Sequence, residues 1–225
     1  MSQSAVQKFS DDLTPPQEPL DPVALSALLA SRLCHDLINP VGALGSGLEV
    51  LEDESMDESM KEAAIDLIKT GGAKSVSLLK YARLAYGAAG GRGVELPMEE
   101  AEQILRDLFQ WAKADLEWTV PPIHALKEKV KAVMILTHYA ADCVPRGGVV
   151  RVANEGDDLF TVEAEGKRAL LQDDLPAALA GDHTEMKPKF APAYIAGLLA
   201  RELGGSVTVS RESDEKVVFK AQFSS

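Results

Sequence analysis

The chain has 225 residues, 46% hydrophobic and 26% charged, a globular balance that excludes disorder throughout and allows one large or two small domains. Twenty-three Lys plus Arg against 35 Asp plus Glu give a net charge of −12, which disfavours a grip on nucleic acid or anionic lipid and favours a protein partner or small ligand. Aromatic residues are 5%, too few for a base-stacking platform, and two cysteines, Cys34 and Cys143, are too few for a disulfide scaffold or a Cys-rich zinc site. No apolar run approaches the roughly 18 to 20 residues that cross a bilayer, and the first thirty positions lack a basic start and apolar centre. A cytoplasmic protein without membrane contact is the expectation.

Residues 1–21 are polar, carry Pro15 and Pro16, and show no periodicity, which predicts a flexible tail. Asp21 and Pro22 form a cap and first turn, and a helical apolar pattern runs from Pro22 to about Glu52. A second helix is predicted from about Asp57 to Tyr86, joined through a link so short that the two fold back as an antiparallel hairpin over residues 22–90. Gly87 to Gly93 reads GAAGGRG, a hinge-like linker with the boundary placed at Gly90.

Residues 91–225 alternate shorter helices and strands. Helices are predicted over about Met98 to Lys113, Lys127 to Cys143, Asp174 to Ala180 and Ala191 to Leu203. Strands are predicted over Leu116 to Val120, Val149 to Ala153, Leu159 to Ala164, Ser206 to Arg211 and Lys216 to Gln222. The fold class is therefore α plus α/β: a helical hairpin followed by an α/β sandwich.

A lone histidine in a helix is by default structural, so the direction of His35 matters. Counting about 100° per residue, Leu29, Leu33, Leu37, Pro40, Val41, Leu44, Leu48 and Leu51 fall on the opposite side of the helix and form the expected core stripe. On the side of His35 lie Ser31, Arg32, Asn39, Gly42 and Ser46, with Leu28 the one large apolar member. A solvent-facing imidazole beside small residues suits nucleophilic reaction with a docking macromolecule. Asp36 is placed to orient or proton-couple the ring, and Arg32 to hold an anionic group by paired hydrogen bonds; either is equally an ordinary solvated charge. Pro40, mid-helix, removes the hydrogen bond to the carbonyl of Asp36 and predicts a kink one turn past His35.

His35-Asp36-Leu37-Ile38-Asn39-Pro40 resembles the H-(E/D)-x-x-(N/T)-P phosphoacceptor box of sensor histidine kinases. A hairpin with an exposed histidine on its first helix resembles their dimerisation and phosphotransfer domain. The resemblance implies that two hairpins pair into a four-helix bundle, because one hairpin leaves apolar surface uncovered.

The part after residue 98 resembles the ATP-binding domain of those kinases, anchored by Gly147-Gly148 and Gly204-Gly205. The ATP chemistry does not carry over. Counting back from Gly147, the magnesium-holding asparagine becomes Tyr139 and the earlier asparagine Ile135; the adenine-reading box falls at Ala164 to Arg168, with Ala164 in place of its aspartate and only Gly166 retained. The phosphate glycines fall at Phe190 and Pro192, which cannot present consecutive N–H groups as glycines do. The domain is thus expected to be a degenerate, Bergerat-like fold without productive ATP binding.

A dimeric histidine hairpin joined to such a domain resembles the ChpT-type histidine phosphotransferases of alphaproteobacterial phosphorelays, over nearly the whole chain after the tail and including Ser31 to Pro40 and Gly45 to Leu51. The resemblance implies that phosphoryl passes from the receiver-domain aspartate of a hybrid sensor kinase to His35, then to aspartates of response regulators of the CtrA cell-cycle type. Magnesium belongs to the receiver, and the chain holds no cofactor of its own. Candidate catalytic residues are His35, Asp36, Asn39 and Arg32; candidate partner contacts are Ser31, Arg32, Leu28, Gly42, Ser46 and Lys74.

Lys74 enters because equal counting from the turn places it level with His35 on the second helix, where a cation meets phosphate or an acidic receiver; a solvated lysine is an equal reading. His124, His138 and His183 read as structural or surface residues. Gly71-Gly72 inside the second helix indicates close helix approach or local bending. Glu49, Glu52, Asp53, Glu54, Asp57, Glu58 and Glu62 surround the hairpin turn as a solvated end, or discourage wrong docking. The α/β domain is a docking wall or a brace for the dimer. Two alternatives to the relay remain: an ATP-dependent histidine kinase core, which requires magnesium-dependent ATP binding, and a scaffold that works without phosphorylation of His35.

Overall fold

The computed structural model describes residues 18–88, 91, 93–156 and 158–224. The tail expectation, for residues 1–17, and the boundary at Gly90 lie outside them. Helix α1 spans Pro22–Glu52 and α2 spans Glu58–Ala85. Asp21 caps α1 by accepting the Ala24 N–H at 2.9 Å, and Asp57 caps α2 by accepting the Met60 N–H at 2.8 Å. Between them the Asp53 carboxylate accepts from both the N–H and the hydroxyl of Ser55, which tightens the turn.

The two helices approach closely at two glycines. A Cβ on Gly47 would lie 2.6 Å from Ile68 Cγ1, and one on Gly71 would lie 2.6 Å from the carbonyl oxygen of Pro40. Close approach is therefore the role of Gly71. Gly72 is different: its Cβ would meet only Leu44 Cδ2, at 3.9 Å. Gly71→Ala should lower stability by about 1 to 2 kcal/mol, overpacking outweighing the gain in helix propensity, while Gly72→Ala should raise it by up to about 1 kcal/mol. Thermal melts of the two variants check these opposite signs.

Val41 and Leu48, assigned above to the core stripe, are about half exposed, as are Val76 and Leu79 of α2. The apolar stripe of α1 is wider than one neighbouring helix can cover, so its flank stays open. Ile38, Val23, Ile65 and Leu67 extend the same uncovered character.

The second part begins with β1, Glu95–Pro97, then α3, Met98–Phe109. Strand β2, Ala114–Trp118, is followed by β3, His124–Leu126, and α4, Lys127–Cys143. The hairpin β4, Gly148–Asn154, and β5, Leu159–Glu165, leads to α5, Leu175–Ala180. A 3-10 turn at Pro188–Phe190 enters α6, Ala191–Glu202, and β6, Ser206–Arg211, and β7, Lys216–Gln222, end the fold. Gly204, at φ 67°, takes the left-handed conformation after α6 that turns the chain into β6.

Two predictions are corrected. Helix α3 stops at Phe109 rather than Lys113, and β2 begins at Ala114, because pairing with β4 in parallel register draws residues 114 to 118 into the sheet. The antiparallel ribbon of β1 with β3 was not predicted.

The main sheet has order β2-β4-β5-β7-β6, parallel between β2 and β4 and antiparallel elsewhere. Val150, Val152, Phe160, Val162, Val217 and Phe219 are buried in the common core with residues of α4 and α6. The other face alternates with it and carries ion pairs: Arg151 bridges Glu117 and Glu165, and Lys216 meets Glu163. Burial also pushes the Cys143 thiol up to about 12. Among the described residues no helix is long and apolar enough to cross a membrane.

Candidate functional site

Helix α1 presents His35 with its side chain 79% exposed. Its Nδ1 lies 3.2 Å from Asp36 Oδ1. A carboxylate only accepts hydrogen bonds, so this contact requires the proton on Nδ1 and leaves the Nε2 lone pair free. The second oxygen of Asp36 accepts from Arg32 Nε at 2.7 Å.

The ring opens onto a cleft of about 400 Å³ between the hairpin and the α/β part. Arg32, Asp36, Asn39 and Lys74 line it beside His35. Across from them stand Trp111, Lys113, His138 and Asp142. The walls are pinned together: Trp111 Nε1 donates to Ser77 Oγ at 3.3 Å, and Lys80 of α2 pairs with Asp107 of α3 at 3.6 Å.

Lys74 thus faces the same cleft as His35, as counting from the turn predicted. Ser31, Gly42 and Ser46 are exposed and Leu28 is half-buried. These four do not line the cleft; they continue along the open strip of α1, where a Cβ on Gly42 would meet nothing within 4 Å. Arg32 departs from expectation. It is only 17% exposed, and its guanidinium is held by Asp36 and, at 3.9 Å, by Asp142 Oδ2 of α4 rather than turned outward. Its position on α1 faces solvent in an isolated helix, but the packed α/β part covers it.

His138, read as structural from sequence, is also a wall of this cleft. Its ring packs edge-on against Tyr81, centroids 4.8 Å apart. Burial lowers its pKa below the usual histidine value of 6.5, Arg32 pushing the same way, while Asp142 and Asp36 oppose them. The unfolded chain therefore takes up the proton first. Stability that neutral His138 contributes is present above about pH 6.5 and is lost as pH falls below it toward the folded value. His138→Gln should flatten that acid limb in denaturant titrations run across about pH 5 to 7.

The positions where the kinase resemblance put nucleotide chemistry hold other contacts. The Tyr139 hydroxyl donates to the carbonyl of Lys189. Ile135, Ala164 and Phe190 are buried in the core. Gly166 has a packing reason, since a Cβ there would lie 2.5 Å from the carbonyl oxygen of Gly147.

Residues 98–215 match the family model described as histidine phosphotransferase C-terminal domain. The chain is 31% identical over 212 residues to the protein phosphotransferase ChpT of Brucella abortus (strain 2308), spanning 90% of this chain and 97% of that one. This chain belongs to the ChpT-type histidine phosphotransferases. A solved structure of a bacterial phosphotransferase superposes with TM-score 0.80 at 30% identity, over 91% of this chain and 98% of the other. The histidine hairpin and the sheet domain packed on it are therefore the fold of a phosphotransferase family.

Asp142, Trp111 and Lys113 are among the cleft residues that sequence reasoning missed. They lie on α4 and on the turn after α3, far along the chain from His35, so no local spacing announces them.

Proposed function

We propose that this phosphotransferase relays phosphoryl groups between receiver domains, with His35 as the carrier. The observation that carries the reading is the exposed His35 ring, held at Nδ1 by Asp36 with Nε2 free at the mouth of a cleft that offers Lys74. In the first half-reaction the Nε2 lone pair forms a bond to phosphorus as the bond to the receiver's aspartate oxygen breaks, its electron pair leaving with the carboxylate. The ring becomes positively charged, and Asp36 stabilises the proton on Nδ1. The second half-reaction reverses these steps toward the aspartate of a response regulator. Lys74 and Asn39 contact the phosphoryl oxygens or the docked receiver, and the strip of Leu28, Ser31, Gly42 and Ser46 gives a receiver flat access along α1. Magnesium is assigned to the receiver's acidic pocket, with no cofactor on this chain.

The donor is taken to be the receiver domain of a hybrid histidine kinase and the acceptors CtrA-type cell-cycle regulators, as the family resemblance implies. The side chains of Tyr139, Phe190 and Pro192, standing where a kinase holds nucleotide, support a pseudo-ATPase role for the α/β domain. The uncovered apolar flank of the hairpin supports a homodimer through a four-helix bundle. The acidic charge fits a cytoplasmic protein that avoids nucleic acid and membrane.

The test supplies labelled, phosphorylated receiver in one reaction and labelled ATP with magnesium in another. Label on this chain from the receiver alone supports the relay. Label taken directly from ATP makes the chain a kinase, and label in neither makes it a scaffold.

A further inference from the structure

We propose that Arg32 is a positioning residue, through which the α/β domain holds the acceptor histidine in its reactive tautomer. The proposal rests on the reading of His35 as phosphoacceptor. It assigns Arg32 away from phosphate binding.

Arg32 lines a small notch together with Tyr86, His138, Tyr139, Asp142 and Pro192. Three elements build this socket: Tyr86 follows α2, Pro192 belongs to α6 and the rest to α4. From it Nε reaches Asp36 Oδ2 at 2.7 Å, and a terminal nitrogen lies 3.9 Å from Asp142 Oδ2. Asp36 is only 18% exposed and both of its oxygens are committed, one to Arg32 and the other, at 3.2 Å, to His35 Nδ1.

The consequence follows from how little else restrains the ring. His35 is 79% exposed, and Asp36 is its one hydrogen-bond partner among the described residues. A carboxylate free to rotate and hydrate would hold Nδ1–H only part of the time, and the imidazole would drift to the Nε2–H tautomer, in which the attacking nitrogen is blocked. Arg32 fixes the carboxylate, and the socket fixes Arg32. Tyr139, at the position aligned above with the kinase magnesium asparagine, is one wall of that socket. The α/β domain thus acts on the acceptor through an ion-pair chain where a kinase would act through nucleotide.

The test uses the full chain labelled with ring-15N histidine, in the unphosphorylated state at about pH 8, where imidazole is neutral. The His35 signals are assigned by their loss in His35→Gln. Wild type should show Nδ1–H as the main tautomer. Arg32→Ala should lower the Nδ1–H to Nε2–H ratio at least about threefold and slow transfer from a phosphorylated receiver about tenfold. Asp142→Asn, at a half-exposed position that leaves packing intact, should shift both in the same direction by about twofold. Arg32→Lys, which keeps the charge but reaches one carboxylate at a time, should recover part of the ratio.

An unchanged ratio in both Arg32→Ala and Asp142→Asn overturns the proposal, as does slowed transfer that traces wholly to weaker receiver binding. The tautomer measurement needs no phosphoryl donor. A chain that shows the shift but never takes up label sinks the relay reading and leaves the ion-pair chain standing.

Discussion

His35→Gln should take up no label from a phosphorylated receiver above background, while its fold and receiver binding stay as in wild type. Glutamine keeps the length and hydrogen-bonding character of the side chain but has no lone pair of comparable nucleophilicity, so the covalent step has no acceptor. Stability should change by no more than about 0.5 kcal/mol, because the replaced ring is exposed and touches little beyond Asp36. The label on wild type should behave as a phosphoramidate, lost in acid and kept in base, which separates it from the aspartyl phosphate of the donor. Full labelling of the variant, or label with the stability of a phosphoester, would move the acceptor to another residue.

Val41→Asp with Leu48→Asp should convert the proposed dimer to a monomer that is still folded. Both side chains are about half exposed in the single chain, so charge there leaves the hairpin's own packing nearly untouched. In a four-helix bundle each aspartate becomes a carboxylate removed from water without a partner, costing several kcal/mol per interface. About 4 kcal/mol weakens association roughly a thousandfold. Sedimentation across protein concentrations reads the change, and circular dichroism reports the fold. The monomer should keep transfer within about threefold of wild type, because Asp36, Asn39 and Lys74 of the same chain line the cleft beside His35. A monomer that is unable to transfer would mean that the second copy completes the site, and an unchanged dimer would move the interface to another surface.

The long helices were legible because caps and periodicity agreed. Asp21, Pro22 and Asp57 mark starts that the structure keeps, and β6 and β7 fall on the predicted residues. The β1 to β3 ribbon was illegible: each strand has three residues, too short for alternation, and the partners are separated by a whole helix. Val41 and Leu48 show a different limit. Periodicity reports that a face is apolar, not whether the same chain covers it. The direction of His35 was readable for the same geometrical reason, since it depends only on its own helix. The environment of Arg32 was not, because it depends on Asp142, Tyr139 and Pro192, which only the tertiary packing brings to it.

The glycine-rich segment between hairpin and sheet invites the reading of a swivel, yet two lysines of α4 reach back to Gly87 and Gly91 within it. Lys131 Nζ donates to the carbonyl of Gly87, and Lys127 Nζ to that of Gly91, each at 2.5 Å. Gly87 and Gly91 are therefore tied to the neighbouring helix through two lysine ammonium groups. Replacing Lys127 and Lys131 by methionine would remove both contacts without altering one residue of the connector itself. The tether belongs to the neighbouring helix, and engineering of the connector alone would leave its two lysines in place.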